Sequence, residues 1–285
     1  MNLKQNIIIF LLAGMFAATG LCGNAMAKKS ARIGYVQWAS ATAATHVIKA
    51  VLQKKLDYEV TLTSVSATAI WQDTASGDLD GFVCAWLPSL HAHYYEKFQN
   101  DVVNLGPNLE GTKIGLVVPA YVTIDSIAAL DAHADKFNGQ ITGIDHGARI
   151  MSTTEEALAA YDIEGLELEE GSGAMMTMVL QDKIKNKEWV VVTGWTPHWK
   201  FHRFDLKYLE DPKKIYGGTE YLKTIVRKNL ESQKPDLFAF LDNFQWETDD
   251  LHAVMDYIRQ SGNPYKSAVQ WMRENPQKIE AWLPE

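Results

Sequence analysis

The stretch at residues 190–201, VVVTGWTPHWKF, decides the reading of the fold. Three valines and a threonine in succession make a β-branched run of the kind a parallel sheet buries on both faces. Gly194 and Pro197 then predict a turn that ends the strand and leaves Trp195 at its mouth. In an open α/β sheet, the carboxyl ends of the strands face the ligand crevice. Two further stretches follow the same plan: IGYVQW at 33–38 and GFVCAWLP at 81–88, each a short apolar strand ending on tryptophan. Three indoles delivered from three strand ends predict an aromatic box, which suits a cation that has no proton to donate.

Outward from this strand the pattern alternates. A strand at 32–36 leads to a helix at 41–55, whose Ala44, Val47, Ile48, Val51 and Leu52 fall at helical spacing. Strand 58–65, helix 68–76 and strand 79–85 follow. Pro88 opens a helix to residue 98, and a strand spans 113–119. The second series is helix 124–137, strand 140–144, helix 150–161, strand 166–169, helix 174–184 and strand 189–193. Residues 198–218 are irregular, and the remainder reads as helical to the end. Such alternation makes βαβ units and mostly parallel sheets flanked by helices, an α/β fold. Two series joined near 117–122, with a tail returning to the first, predict two lobes around a cleft. Residues 28–118 with 211–285 form one, and 119–210 the other.

Residues 1–27 carry one lysine, an apolar core at 7–18 and Ala25-Met26-Ala27, the pattern of a cleavable secretory signal. Cys22 follows Leu21, where a lipid-attachment site wants a small residue. No later run approaches the ~20 apolar residues of a membrane helix, so the expectation is an exported chain of the periplasm. Without the signal the chain has 26 basic and 35 acidic residues, a formal charge of −9. That balance argues against nucleic acid and against an anionic membrane face. Cys84 is then the only cysteine, placed inside an apolar strand, where a buried inert thiol is expected and no internal disulfide is available.

The rival reading is a secreted α/β enzyme, and the sequence offers it little. There is no Gly-x-Ser-x-Gly elbow, no Gly-x-Gly-x-x-Gly fingerprint and no P-loop. His91 and His93 would point about 200° apart on a helix and so would not chelate together. No metal and no cofactor is expected. Trp71, Trp189, Trp246, Trp271 and Trp282 fall within helical or strand patterns, where core packing is the default, and Trp199 reads as a brace for the turn.

With GWTPHWKF followed by DLKYLEDP at 205–212, and with AWLPSLH and IGYVQWASATA, the chain resembles the glycine betaine/proline betaine-binding proteins of ABC importers. The resemblance covers essentially everything after the signal. It implies a two-lobed periplasmic-binding-protein fold of type II, a betaine ligand, and partnership with a permease transmembrane subunit and its ATPase; a monomer is expected. It also implies that Trp38, Trp86 and Trp195 cage the quaternary ammonium. His91 would donate to the ligand carboxylate, and the backbone amides of Arg149 and Ile150 would complete that grip. Arg149 departs from the family pattern, which has glycine there. Gly147 and the helix start at Ile150 offer N–H groups and the positive end of a helix dipole. Choline-binding relatives place an acid near Ser40, so serine there favours a zwitterion, with a choline receptor as the alternative.

Overall fold

The computed structural model describes residues 29–284, so the readings of a signal at 1–27 and of Cys22 lie outside the described residues. The chain begins β1 (Ser30–Tyr35), α1 (Ala39–Lys55), β2 (Glu59–Ser64), α2 (Ala67–Ser76), β3 (Gly81–Leu87), α3 (Ala92–Phe98) and β4 (Val102–Pro119). Two 3-10 segments, Ile127–Ala129 and Asp131–Phe137, lead to β5 (Gln140–Thr142), α4 (Arg149–Ala160), β6 (Glu167–Glu169), α5 (Gly173–Asn186) and β7 (Val192–Thr196). Next come α6 (Lys200–Arg203), β8 (Leu206–Tyr208) and β9 (Glu220–Arg227). The tail is α7 (Leu230–Gln233), α8 (Pro235–Asn243), α9 (Thr248–Ser261), α10 (Pro264–Glu274) and α11 (Pro276–Trp282).

Strands run in the order β2-β1-β3-β9-β4-β7-β5-β6, with β8 also on β4. The βαβ units give parallel pairs: β1 with β2 and β3, and β5 with β6 and β7. The strands that carry the chain between the two halves are antiparallel. Residues 102–112 of β4 pair with β9, and residues 113–119 pair with β7 and β8. One long strand therefore serves both sheets. Its partner changes between Thr112 and Lys113.

Four expectations about local structure need correction. The strand expected at 113–119 is the second half of β4, whose first half carries Gly106, Pro107 and Gly111. Register shifts around those residues absorb them, with Gly106 and Gly111 at φ of +99° and +75°. Residues 220–227 are not helical but form β9, a central strand that buries Leu222, Thr224, Ile225 and Val226 between β3 and β4. The helix at 124–137 is only 3-10 turns. Ser126 Oγ accepts from the Ala128 amide, Asp131 Oδ1 accepts from the amides of Glu164 and Gly165, and His133 leaves helical angles at φ −126°. Finally, Gly194 does not end its strand: it pairs with Gly115 inside β7, and the strand runs on through Trp195 to Thr196.

Asp80, at the start of β3, ties the returning tail to the first sheet. Its buried carboxylate accepts from the Arg32 amide (2.8 Å), Arg227 Nε (2.9 Å) and Lys234 Nζ (2.7 Å). Burial alone raises its pKa, and the donors, Lys234 foremost, outweigh that and hold it low. The stability it supplies is therefore present at neutral pH and lost as pH falls through the depressed value. Asp80→Ala leaves two cations facing an apolar strand end, and we expect a loss of about 3–5 kcal/mol in urea unfolding at neutral pH. An unchanged midpoint would show that the cluster is solvated rather than structural.

Candidate ligand-binding site

Between the two sheets lies a cavity with about 340 Å³ of empty space including its mouth. Trp38, Trp86, Leu90 and His91 line it from one half, and Ile144, Ala148, Arg149 and Ile150 from the other. Ile114 of β4 and Trp195 of β7 sit where the halves meet. The three tryptophans are all nearly buried.

Each indole is placed by a local device. Trp195 stands opposite Ile114 in the β4–β7 ladder, one step from the Gly115–Gly194 pair. A Cβ on Gly194 would lie 2.3 Å from Val117 Cγ2, so only glycine lets β7 approach β4 this closely. Trp86 is the penultimate residue of β3, fixed against Leu222 of β9. Trp38 occupies the N-cap position of α1, and its Nε1–H donates to Asp145 Oδ1 at 3.4 Å, across the cleft.

His91 is held more tightly than its sequence position foretells. The expected helix from Pro88 begins only at Ala92, because the preceding turn is pinned from outside. Glu220, buried at the start of β9, accepts from the amides of Ser89 (2.8 Å) and Leu90 (3.4 Å). The Trp86 amide donates to His91 Nδ1 at 3.2 Å. An Nδ1 that accepts a hydrogen bond leaves the proton of the neutral ring on Nε2, which fixes the tautomer. Burial, reinforced by the nearby His93, pushes the imidazole pKa down to about 3. The ring is thus a neutral donor at any physiological pH.

Facing it is the first turn of α4. The leading amides of a helix have no intrahelical acceptor, and the cap residue Ala148 supplies no side-chain substitute. The backbone N–H groups of Arg149 and Ile150 can therefore serve an anion, helped by the helix dipole. The Arg149 guanidinium is engaged along its own helix, with Ser152 Oγ at 2.5 Å and Glu156 Oε1 at 2.7 Å. Gly147, also expected at the site, is exposed in the turn before α4, and Ala148 is the residue of that turn that lines the cavity.

Leu90, Ile114, Ile144, Ala148 and the positioning residue Glu220 were not anticipated. Only the strand register places Ile114 beside Trp195, and a register between distant strands leaves no local mark in a sequence. Ser40, where an acid would matter, is buried with its Oγ 3.9 Å from the Cys84 sulfur. The Cys84 thiol is buried and its pKa is raised to about 12. Among the described residues, no carboxylate lines the cavity. Chemically it combines three indoles with the His91 ring N–H and the amides at the start of α4, and among the described residues no acid lines it to hold an alcohol-bearing cation.

The chain is similar to several characterised proteins. Over 162 residues it is 44% identical to the glycine betaine/carnitine transport binding protein GbuC of Listeria monocytogenes, covering 55% of this chain and 54% of that one. The chain thus spans about half the length of that relative. The structure of lactococcal OpuAC, closed and complexed with glycine betaine, superposes with a TM-score of 0.85 at 38% identity, covering 90% of this chain and all of that one. A choline-binding protein of an ABC transporter, in complex with choline, gives 0.82 at 27% identity, covering 89% and 91%. Residues 29–274 match the family model described as the substrate-binding domain of ABC-type glycine betaine transport systems, and the chain belongs to that OpuAC family.

Proposed function

We propose that this chain is the periplasmic receptor of an ABC importer, capturing a quaternary-ammonium zwitterion of the betaine type and delivering it to the membrane permease. The observation that carries this reading is the composition of one cavity: three indoles, a neutral imidazole donor and a helix N-terminus, with no carboxylate among the lining residues. A methylated ammonium is weakly hydrated and cannot hydrogen-bond, so ring faces are its best partners. Each contributes ~0.5–2 kcal/mol when desolvated. The acid end needs donors, and His91 Nε2–H with the amides of Arg149 and Ile150 supply three.

In this reading the two halves are lobes that turn about β4, where its pairing changes at Thr112/Lys113, and about the return from β8 to β9. Ligand contacts from Trp38, Trp86 and His91 on one side and from α4 on the other exist together only when the cleft is shut. Binding then drives closure, and the closed shape is what a permease reads. The choline alternative is weakened by the missing acid, since choline brings a hydroxyl where the cavity presents anion donors.

The decisive experiment titrates the protein lacking residues 1–27 with glycine betaine, choline and proline, following tryptophan fluorescence and melting temperature, which ligand raises by mass action. We expect a saturable response to betaine, a far weaker one to choline and none to proline. Trp38→Ala, Trp86→Ala and Trp195→Ala should each weaken betaine binding at least tenfold while remaining folded; wild-type affinity in all three would refute the cage. His91→Ala removes a hydrogen bond to a charged group, worth about 1.5–3 kcal/mol. Its calorimetric Kd should rise by roughly ten- to a hundredfold, and no change would move the carboxylate elsewhere.

A further inference from the structure

Lys200 is among the largest side chains that the fold buries completely. Its Nζ has no hydrogen-bond partner among the described residues. The group it does meet belongs to the cage: Nζ lies over the Trp195 ring, 4.4 Å from its centroid, with Phe201 at 5.6 Å. Lys200 lines neither the cavity nor the wider void beside it, although Trp195 lines both. The amine thus covers Trp195 from outside both spaces.

An indole attracts cations through the negative potential of its faces, and both faces draw on one π system. A charged ammonium at the rear draws that density toward itself and repels a second cation in front. Two unit charges on opposite sides of one ring, at a partly buried site, disfavour each other by on the order of tenfold in Kd. We propose that Lys200 sets the affinity of the cage by proton linkage: its charged form competes with the ligand cation for Trp195, and its neutral form leaves the ring to the ligand. This rests on the quaternary-ammonium reading of the cavity.

The surroundings favour loss of the proton. Burial pulls the Lys200 pKa down from 10.5 to about 7, with no acid opposing it. His198, in the preceding turn, accepts from the Lys200 amide through Nδ1 at 3.1 Å and is held well below its ordinary pKa, by burial first and then by Lys200 and His252. His202 shares α6 with Lys200 and bonds His252 of α9 at 2.8 Å. His252 is lowered to about 4 by burial and then by His202, against Asp249 and Asp256. Arg203 ends α6, and Lys113 lies over Tyr208, which stacks on Phe201. The ligand's charges are fixed in the window that matters, because a quaternary nitrogen cannot titrate and a carboxylate ionises far lower.

The sign follows directly. As pH rises through the amine's titration, the rear cation disappears and betaine binds more tightly. By reciprocity, binding expels part of a proton from the protein. The folded chain also holds fewer protons than the unfolded one between the two lysine pKa values, so the cost of burying Lys200 is largest below pH ~7 and fades toward pH ~10.

Calorimetric titration with glycine betaine at about pH 6, 7 and 8, in buffers of differing ionisation enthalpy, tests this. We expect wild-type Kd to fall about tenfold from pH ~6 to ~8, with measurable proton release at the lower end. Lys200→Met should bind with the wild-type high-pH affinity throughout, release no proton, and melt higher than wild type at pH ~6 by a margin that shrinks as pH rises. A flat wild-type profile without proton release overturns the proposal while leaving the betaine site standing. So does a profile that survives Lys200→Met, or one that vanishes instead in His202→Gln. Absence of binding at every pH removes the betaine reading and this proposal together. Proton release is read on wild type, so it decides the matter even if the methionine variant folds poorly.

Discussion

The close approach of β7 to β4 is the constraint from which the cavity follows. Gly194 faces Gly115 across that ladder, and the side chain of Val117 fills the space that any larger residue at 194 would need. Because the strands meet so tightly, Trp195 and Ile114 emerge side by side at the junction of the halves. β4 then carries this fixed point into the first sheet, where β9 connects it to β3 and so to Trp86. Two of the three rings are thus tied to one another by one continuous run of backbone hydrogen bonds. The third, Trp38, is set by the turn between β1 and α1.

The selectivity proposed for the cavity rests on what it leaves uncharged. His91 stays neutral because it is buried and because a backbone amide, rather than an acid, meets its Nδ1. Arg149 contributes its main chain while its guanidinium is occupied by Ser152 and Glu156. An anion would therefore meet oriented dipoles instead of a bare cation, which hold it without a salt bridge that water and salt would compete for. A full positive charge among the lining groups would work against the ammonium of a betaine a few ångströms away.

Much of this was legible in the chain before any fold was drawn. The alternation of apolar strands with helices through residue 98 gave the βαβ units, because a helix or strand that buries one stripe shows its period locally. The three tryptophans stood out because each closes a short apolar run. The long-range half was illegible. Gly106, Pro107 and Gly111 look like a break, and only pairing with β9 makes strand of them. Glu220 looks like a surface acid, and only the turn that it pins reveals its work. Gly147 offers an amide by its place before the helix, yet α4 begins two residues later and it is Ala148 that lines the cavity. In each case the missing information was a contact between residues more than a hundred positions apart, or the exact cap of a helix.

The charges just outside the cavity act on its rings in opposite directions. Asp145 accepts the Trp38 indole proton at 3.4 Å, and a carboxylate at that edge pushes electron density toward the ring faces. The same contact joins the two halves. Behind Trp195, Lys200 draws density the other way whenever it is charged. A cage made of three chemically identical indoles is therefore uneven. In the proposed cage, the strengthened face is that of Trp38 and the adjustable one that of Trp195. Neither Asp145 nor Lys200 lines the cavity, so affinity can be altered from outside without changing the shape that recognises the ligand.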